Sequence, residues 1–283
     1  MLVLSIFSIS IVVLIGLGLY LRAEPLLATH SIWHLFSDSH WAPSKGQFGF
    51  YPFIMGTLWV TVIAITLALP LCLLTAIYLT EYAPPAIRRL LLPLVNVLAG
   101  IPPVIYGVWG IFFVVPFIQN YLAARFSDSS SGYTVLTGGV VLAVMIFPIL
   151  VSIVSEVLRT IPKELKDASL SLGATKWETI KKVVLKRAFP GIFAAAVLAI
   201  SRAFGETVAV LMVCGNIPVA PSSVFDGGYP LPALIANNFG EMMSIPLYDA
   251  ALMFAALLLF VIIFLFNLIS RLILNRLEHR YTA

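Results

Sequence analysis

The sequence predicts an all-α polytopic membrane protein with six transmembrane helices, and three observations predict it. Of 283 residues, 60% are hydrophobic and only 11% are charged, whereas a soluble domain carries roughly 25% charged residues. Mean hydropathy is +1.02. The apolar residues also gather into six runs: Leu2–Leu21, Ile54–Leu79, Leu90–Ile118, Leu136–Val154, Ile192–Val213 and Ala250–Leu272. Each matches or approaches the ~20 residues that carry a helix across ~30 Å of hydrocarbon. The whole chain, 1–283, reads as one transmembrane domain.

The first run lacks a charged n-region, and "LYLRAE" is a poor cleavage site, so it reads as a retained helix rather than a secretory signal. His30, His34 and His40 follow it, at spacings that form no compact metal set without cysteine or acidic partners. They read as surface or interface histidines. The third run is too long for one straight crossing, and "GIPPVIYG" interrupts it. Pro102 and Pro103 remove two amide donors, and Pro103 biases its predecessor away from helix, so a break near 101–103 is expected. Cys72 in the second run and Cys214 at the end of the fifth make no disulfide framework; both read as small buried apolar residues. The connection Cys214–Asp249 is rich in Gly, Pro and Ser, and a short helix is expected in it near Leu231–Phe239.

Orientation follows from the excess of Lys and Arg in cytoplasmic loops. Thirteen of the 17 cations fall on one side of a six-span arrangement, eight of them between Arg159 and Arg187. Both termini are therefore expected in the cytoplasm. The net charge of +4 follows from that bias and needs no nucleic-acid partner.

The basic segment 155–188 has its own design. Thr160-Ile161-Pro162 opens a helix, since proline is tolerated in the first turn. Leu165, Ala168 and Leu172 form one apolar face, and Gly173 supplies a stop. Thr175 and Glu178 make a T-x-x-E capping box for a second helix with Trp177, Ile180 and Val184 along one side. Two short helices joined at a glycine can lie on a membrane or dock a cytoplasmic partner; both readings stay open on spacing alone.

"SRAFGETVAV", residues 201–210, places Arg202 and Glu206 inside the fifth apolar run. Each charge at mid-membrane costs at least ~2.5–3.5 kcal/mol. In a continuous helix the two lie one turn apart and can pair. One reading is a structural ion pair. The other is that Arg202 faces an anion pathway, because guanidinium suits bidentate contact with tetrahedral oxyanions. Glu206 would then orient Arg202, or accept a hydrogen bond from a protonated phosphate oxygen, which sulfate cannot offer. The break at Pro102 and Pro103 can turn backbone amides and the Tyr106 hydroxyl towards the same path, or serve helix packing alone.

Four stretches carry a resemblance. "DASLSLGA", Asp167 to Ala174, resembles the EAA-loop signature of ABC-importer permeases, with Asp for the usual Glu. "RAFGET", Arg202 to Thr207, resembles the "RALGET" motif of phosphate-specific ABC transporter permeases, and "IPPVIYGVWG", Ile101 to Gly110, resembles their "IPSVVYGLWG". Tyr51–Pro84 and Ser171–Leu185 follow the same pattern, although "LK" at Leu185 and Lys186 replaces the usual "LP". The likeness runs from about Tyr51 to the C-terminus and is closer to the PstC-type than the PstA-type subunit. The chain opens directly in its first span, without the cytoplasmic lead common in such permeases, which implies a truncated or differently processed start.

The resemblance implies a type I ABC-importer permease architecture with a cytoplasmic coupling-helix hairpin. It implies a binding-protein-dependent subunit in the cell membrane that moves inorganic phosphate by alternating access, and is not itself an enzyme. A P-loop is missing, so ATP hydrolysis belongs to a partner and no cofactor is expected on this chain. The implied partners are an ATP-binding subunit dimer, a second homologous permease of PstA type, an external phosphate-binding protein and membrane lipid. Carried onto this sequence, the substrate pathway falls on Arg202, Glu206, Thr207, Tyr106, Pro102 and Pro103, and ATPase coupling on Asp167, Ala168, Ser169, Gly173 and Trp177. The alternatives are a permease for sulfate, molybdate or phosphonate, and a proton-coupled secondary transporter using Glu206. Against the latter, no inverted repeat is evident and the basic loop would lack a task.

Overall fold

A computed structural model describes residues 2–126, 131–241, 245 and 247–282. Helix α1 (Leu2–Thr29) and the short α2 (Ile32–Ser37) lead into a two-stranded hairpin, β1 (Trp41–Ala42) and β2 (Gln47–Phe48). α3 (Tyr51–Ile77) continues through a π turn, Tyr78–Tyr82. α4 (Pro85–Ala99) follows, then a span made of α5 (Pro103–Trp109), α6 (Val115–Phe117) and α7 (Ala124–Phe126), joined by π turns. α8 (Val135–Arg159) is next. α9 (Lys163–Ser171) and α10 (Lys176–Thr179) form the hairpin, and a π turn, Ile180–Val184, feeds α11 (Leu185–Phe204). The short α12 (Val208–Val213) and α13 (Leu231–Asn238) precede α14 (Tyr248–Thr282). Among the described residues six helices are long and apolar enough to cross a membrane.

The third and fifth apolar runs are divided differently from the expectation. The run beginning at Leu90 is not one crossing. α4 already starts at Pro85, ends at Gly100, and the crossing proper is Pro103–Ala123. Pro102 caps the new helix and Pro103 occupies its first turn, where the missing amide is harmless. The fifth crossing, Lys176–Phe204, begins in the basic hairpin and stops short of Val213. Gly205 ends it, and Val208–Val213 is a separate helix.

α3 lies along α8 more extensively than any other pair of helices, with α11 against both and α1 against α14. Glycines allow the α3–α8 approach: a β-carbon at Gly139 would meet Cβ of Ile63 at 2.6 Å. Small residues let membrane helices close in this way without hydrophobic collapse to drive them. A second core sits at the hairpin end of the bundle. There the Trp41 ring meets Phe50 and Phe53 edge-on, with centroids 5.4 and 4.9 Å away. The Cys214–Pro230 connection folds back onto α3. Buried Thr57 accepts the Leu231 amide at 2.9 Å, and Gly56 leaves room for the Tyr229 backbone. α13 then buries Leu231, Ala233 and Leu234.

The three histidines find local partners. His30 Nε2 lies 3.1 Å from the Gly46 carbonyl, and His40 Nδ1 lies 2.9 Å from Asp38. The His40 backbone N–H and imidazole hold the Asp38 carboxyl below its ordinary range. Cys72 and Cys214 are both buried free thiols.

Candidate functional site

Arg202 occupies the last turn of α11 and is among the residues that line a cavity of about 330 Å³ between α8 and α11. The walls are mostly apolar, among them Ile149, Ile153 and Leu198, and Ser201 lines the cavity as well. Ser201 Oγ donates to Asn267 Oδ1 of α14 at 2.9 Å, which ties the end of α11 to α14. Asn96 of α4 meets Ser152 of α8 at 3.3 Å. Neither link was anticipated, although an isolated asparagine in an apolar run is the signal that marks each.

The expected Arg202–Glu206 pair does not form. Among the described residues, the recorded ion pairs include neither side chain. The helix closes at Phe204, the Gly205 amide donates to the Arg202 carbonyl at 3.2 Å, and Glu206 is no longer one helical turn above Arg202. Glu206 Oε1 instead accepts the Ala209 amide at 3.4 Å, at the start of α12. A carboxylate there satisfies an amide that the helix cannot. Thr207 Oγ1 donates to the Gly205 carbonyl at 3.2 Å, closing the turn. Among the described residues no carboxylate pairs with Arg202, which is exposed on the surface of this single chain.

Tyr106 also departs from the expectation. Its hydroxyl donates to the Leu98 carbonyl at 2.8 Å, across the break between α4 and α5, rather than towards Arg202. Leu98 sits in the last turn of α4, where its carbonyl also accepts the Ile101 amide at 3.2 Å, so the phenol adds a second donor across the break that Pro102 and Pro103 create. α5 packs on α12, with Gly107 facing Ala209 and Met212. The two interrupted segments are therefore neighbours, which brings Tyr106, Pro102 and Pro103 to the same side of the bundle as Glu206 and Thr207.

At the other end of α11 the hairpin forms as its sequence suggests. Gly173 has φ +85°, and both halves of the capping box are present. Ser169 Oγ lies 2.9 Å from Thr179 Oγ1, joining α9 to α10. α9 buries none of its residues, so Asp167, Ala168 and the Leu165–Leu172 face are open. Ile180 and Val184 enter the core, whereas Trp177 stays half exposed. Nearby, Arg88, Arg89 and Arg159 line a second cavity of about 440 Å³.

The family model for the binding-protein-dependent transport system inner membrane component matches residues 68–282. A probable ABC transporter permease, YqgH of Bacillus subtilis, is 40% identical over 239 residues, covering 84% of this chain and 76% of the relative. The phosphate transport system permease protein PstC of Mesorhizobium japonicum is 37% identical, covering 98% and 89%. The probable PstC of Methanocaldococcus jannaschii is 35% identical, covering 96% and 91%. Among solved structures, a chain of the inward-facing MetNI methionine ABC transporter superposes with a TM-score of 0.62 at 20% identity, covering 81% of this chain and 97% of that one. A chain of a bacterial alginate importer gives 0.54 at 18%. These two speak for the fold alone, a helical membrane bundle that most of this chain shares with them. With the model matched over most of its length, the chain belongs to the family of binding-protein-dependent transport system inner membrane components.

Proposed function

We propose that this chain is the transmembrane permease subunit of an ATP-driven importer that moves inorganic phosphate across the cytoplasmic membrane by alternating access. The identity to PstC proteins over nearly the whole chain supports the substrate. The observation in the structure that carries the mechanism is that Arg202 lines a mostly apolar cavity and, among the described residues, has no carboxylate paired with it. A guanidinium in such surroundings attracts an oxyanion more strongly than it would in water, and its fork matches two phosphate oxygens. Glu206 Oε1 is engaged by Ala209, which leaves Oε2 to accept the proton of a monohydrogen phosphate.

The chain has no P-loop, so the energy enters from an ATP-binding subunit dimer that presses on the open face of α9. A second permease of PstA type completes the pathway, and an external phosphate-binding protein delivers the anion to the end that carries the β-hairpin. Both termini then lie in the cytoplasm, on the side of the basic hairpin and the three-arginine cavity.

The test is phosphate uptake in vesicles reconstituted with the partner subunits, comparing wild type with Arg202→Gln and Arg202→Lys while ATP hydrolysis is followed in parallel. Hydrogen bonds to charged groups contribute about 1.5–3 kcal/mol, so uptake by Arg202→Gln is expected to fall by about 10- to 150-fold with assembly and hydrolysis intact. Normal uptake by that variant removes Arg202 from the path. Sulfate or molybdate competing as well as phosphate overturns the substrate.

A further inference from the structure

The hairpin α9–α10 is joined covalently to α8 through Thr160–Pro162 and to α11 through the π turn Ile180–Val184. Neither connection reaches α3, the helix packed most extensively on α8. α3 ends in its own π turn, closed by the Ala83 amide donating to the Tyr78 carbonyl at 2.8 Å. Two side chains of that turn meet the hairpin. Glu81 Oε1 accepts from Lys166 Nζ of α9 at 2.6 Å, with the two side chains 10% and 21% exposed. Lys176 Nζ, at the start of α10, sits 4.5 Å from the centre of the Tyr82 ring. Each helix of the hairpin thus supplies one cation to one turn of α3.

The surroundings give this contact a mechanical role. α9 itself buries no residue, so apart from its contact with the π turn Ile180–Val184 and the buried Ile161 that precedes it, little apolar packing seats it against the bundle. Its recorded tethers are polar, Lys166–Glu81 to α3 and Ser169–Thr179 to α10. The recorded pairs Arg159–Glu156 and Lys182–Glu178 are i,i+3 and i,i+4 contacts within one stretch of chain and more exposed, and pairs of that kind hold little. Glu81 and Lys166 are 85 residues apart and shielded. Removing one partner of such a pair leaves a stranded charge, so the contact resists opening when α9 is pushed.

We infer that Glu81 and Lys166, assisted by Tyr82 and Lys176, are a clasp that fastens α3 to the hairpin, so that displacement of the hairpin carries α3, α8 and α11 together. The pair positions helices and touches no substrate. α8 and α11 wall the Arg202 cavity and α3 backs α8. With the clasp closed, a push on α9 moves the cavity wall and its backing as one body; with it open, α3 lags and hydrolysis proceeds with less transport. This role rests on the importer reading above.

Two measurements on the reconstituted complex test it. In the first, phosphate moved per ATP hydrolysed is compared among wild type, Glu81→Asp, Glu81→Gln, Lys166→Gln and the exchange Glu81→Lys with Lys166→Glu. Couplings between distant sites are typically worth 5- to 150-fold, so each Gln variant is expected to lose about fivefold or more in that ratio. Glu81→Asp, which keeps the charge on a shorter arm, should fall between. The exchange should recover most of the loss. A wild-type ratio in either Gln variant overturns the clasp, and so does an exchange that recovers nothing, whether or not the single variants assemble.

The second measurement does not depend on the substrate. Spin labels at Leu74 of α3 and Leu170 of α9, both exposed, report the α3–α9 separation with and without ATP. One narrow distance in both states is expected for wild type and for the exchange, and a broad one for Glu81→Gln. A wild-type distance that shifts with ATP overturns the clasp. A wild-type complex that moves no phosphate refutes the importer reading instead and leaves this distance to decide.

Discussion

Gly138 on α8 offers a sharp test of how the bundle closes. A β-carbon there would fall within the van der Waals shell of Cys214 Sγ, while the nearest remaining atoms, two Val60 methyl carbons, stand at 3.4 and 3.6 Å. The sulfur alone is the obstacle. Gly138→Ala is therefore expected to destabilise the chain by about 1–3 kcal/mol, the usual range for overpacking a filled core. Cys214→Ala removes an atom about the size of a methylene, with an expected loss of about 1 kcal/mol. In the double variant the new methyl takes the space the sulfur left. The two penalties should then fail to add by about 1–2 kcal/mol, within the range seen for touching residues. Gly139→Ala is the control. It meets Ile63 at Cγ2 and at Cβ, the latter 2.6 Å away; Ile63→Ala removes Cγ2 but retains Cβ, so full rescue is not expected there. Thermal unfolding followed by helical circular dichroism in one detergent, on all six variants and wild type, reads both comparisons. Additive losses at 138 and 214, or a full rescue of Gly139→Ala by Ile63→Ala, would refute the packing described here.

Thr57→Val leaves the buried Leu231 amide without its 2.9 Å acceptor, and an orphaned buried donor costs about 1–3 kcal/mol; the same melts should show that loss and its recovery in Thr57→Ser. Tyr106→Phe should lower stability by about 0.5–1.5 kcal/mol, the net worth of one hydrogen bond. It should leave the concentration dependence of phosphate uptake unchanged, because the hydroxyl is engaged by Leu98. In the 214–230 connection, burial raises the Asp226 pKa but hydrogen bonds from Ser222 and Ser223 outweigh it, and the carboxyl is held below its ordinary value of 3.8. A depressed folded-state pKa stabilises above the unfolded value and loses that stabilisation as pH falls through the folded one. Amide exchange of this connection should therefore stay slow at neutral pH and accelerate below pH ~4, and Asp226→Asn should abolish that acid-dependent step.

What the sequence disclosed was what composition and short-range chemistry control. Six apolar runs became six candidate spans, the Pro102–Pro103 break formed where two amides are missing, and Thr175 and Glu178 made their capping box. The Arg202–Glu206 pairing failed because i,i+4 geometry presupposes an unbroken helix, and Gly205 was read inside the run rather than as its end. No local pattern shows that the Tyr106 hydroxyl will find the carbonyl of Leu98, eight residues earlier across the break, rather than the path. The Glu81–Lys166 pair spans 85 residues, and no local pattern specifies which distant acid a lysine will find.

The two breaks explain each other. A helix interrupted inside hydrocarbon exposes backbone groups that lipid cannot satisfy, so it persists only against protein or a polar cavity. Here the segment after the first break, α5, lies against the segment after the second, α12, and Gly107 lets α5 approach the backbone of Ala209. The first break is repaired by the Tyr106 hydroxyl and the second by the Glu206 carboxylate, each serving a helix end. Glu206 is thereby withdrawn from Arg202, and the internal ion pair expected in the apolar run does not form. Had α11 run on without Gly205, the pair could have closed within one helix and the cavity would have lost its cation. The turn at Gly205 thus does two things at once: it places Glu206 at the start of α12, and among the described residues it leaves Arg202 without a carboxylate partner, as the proposed anion path requires.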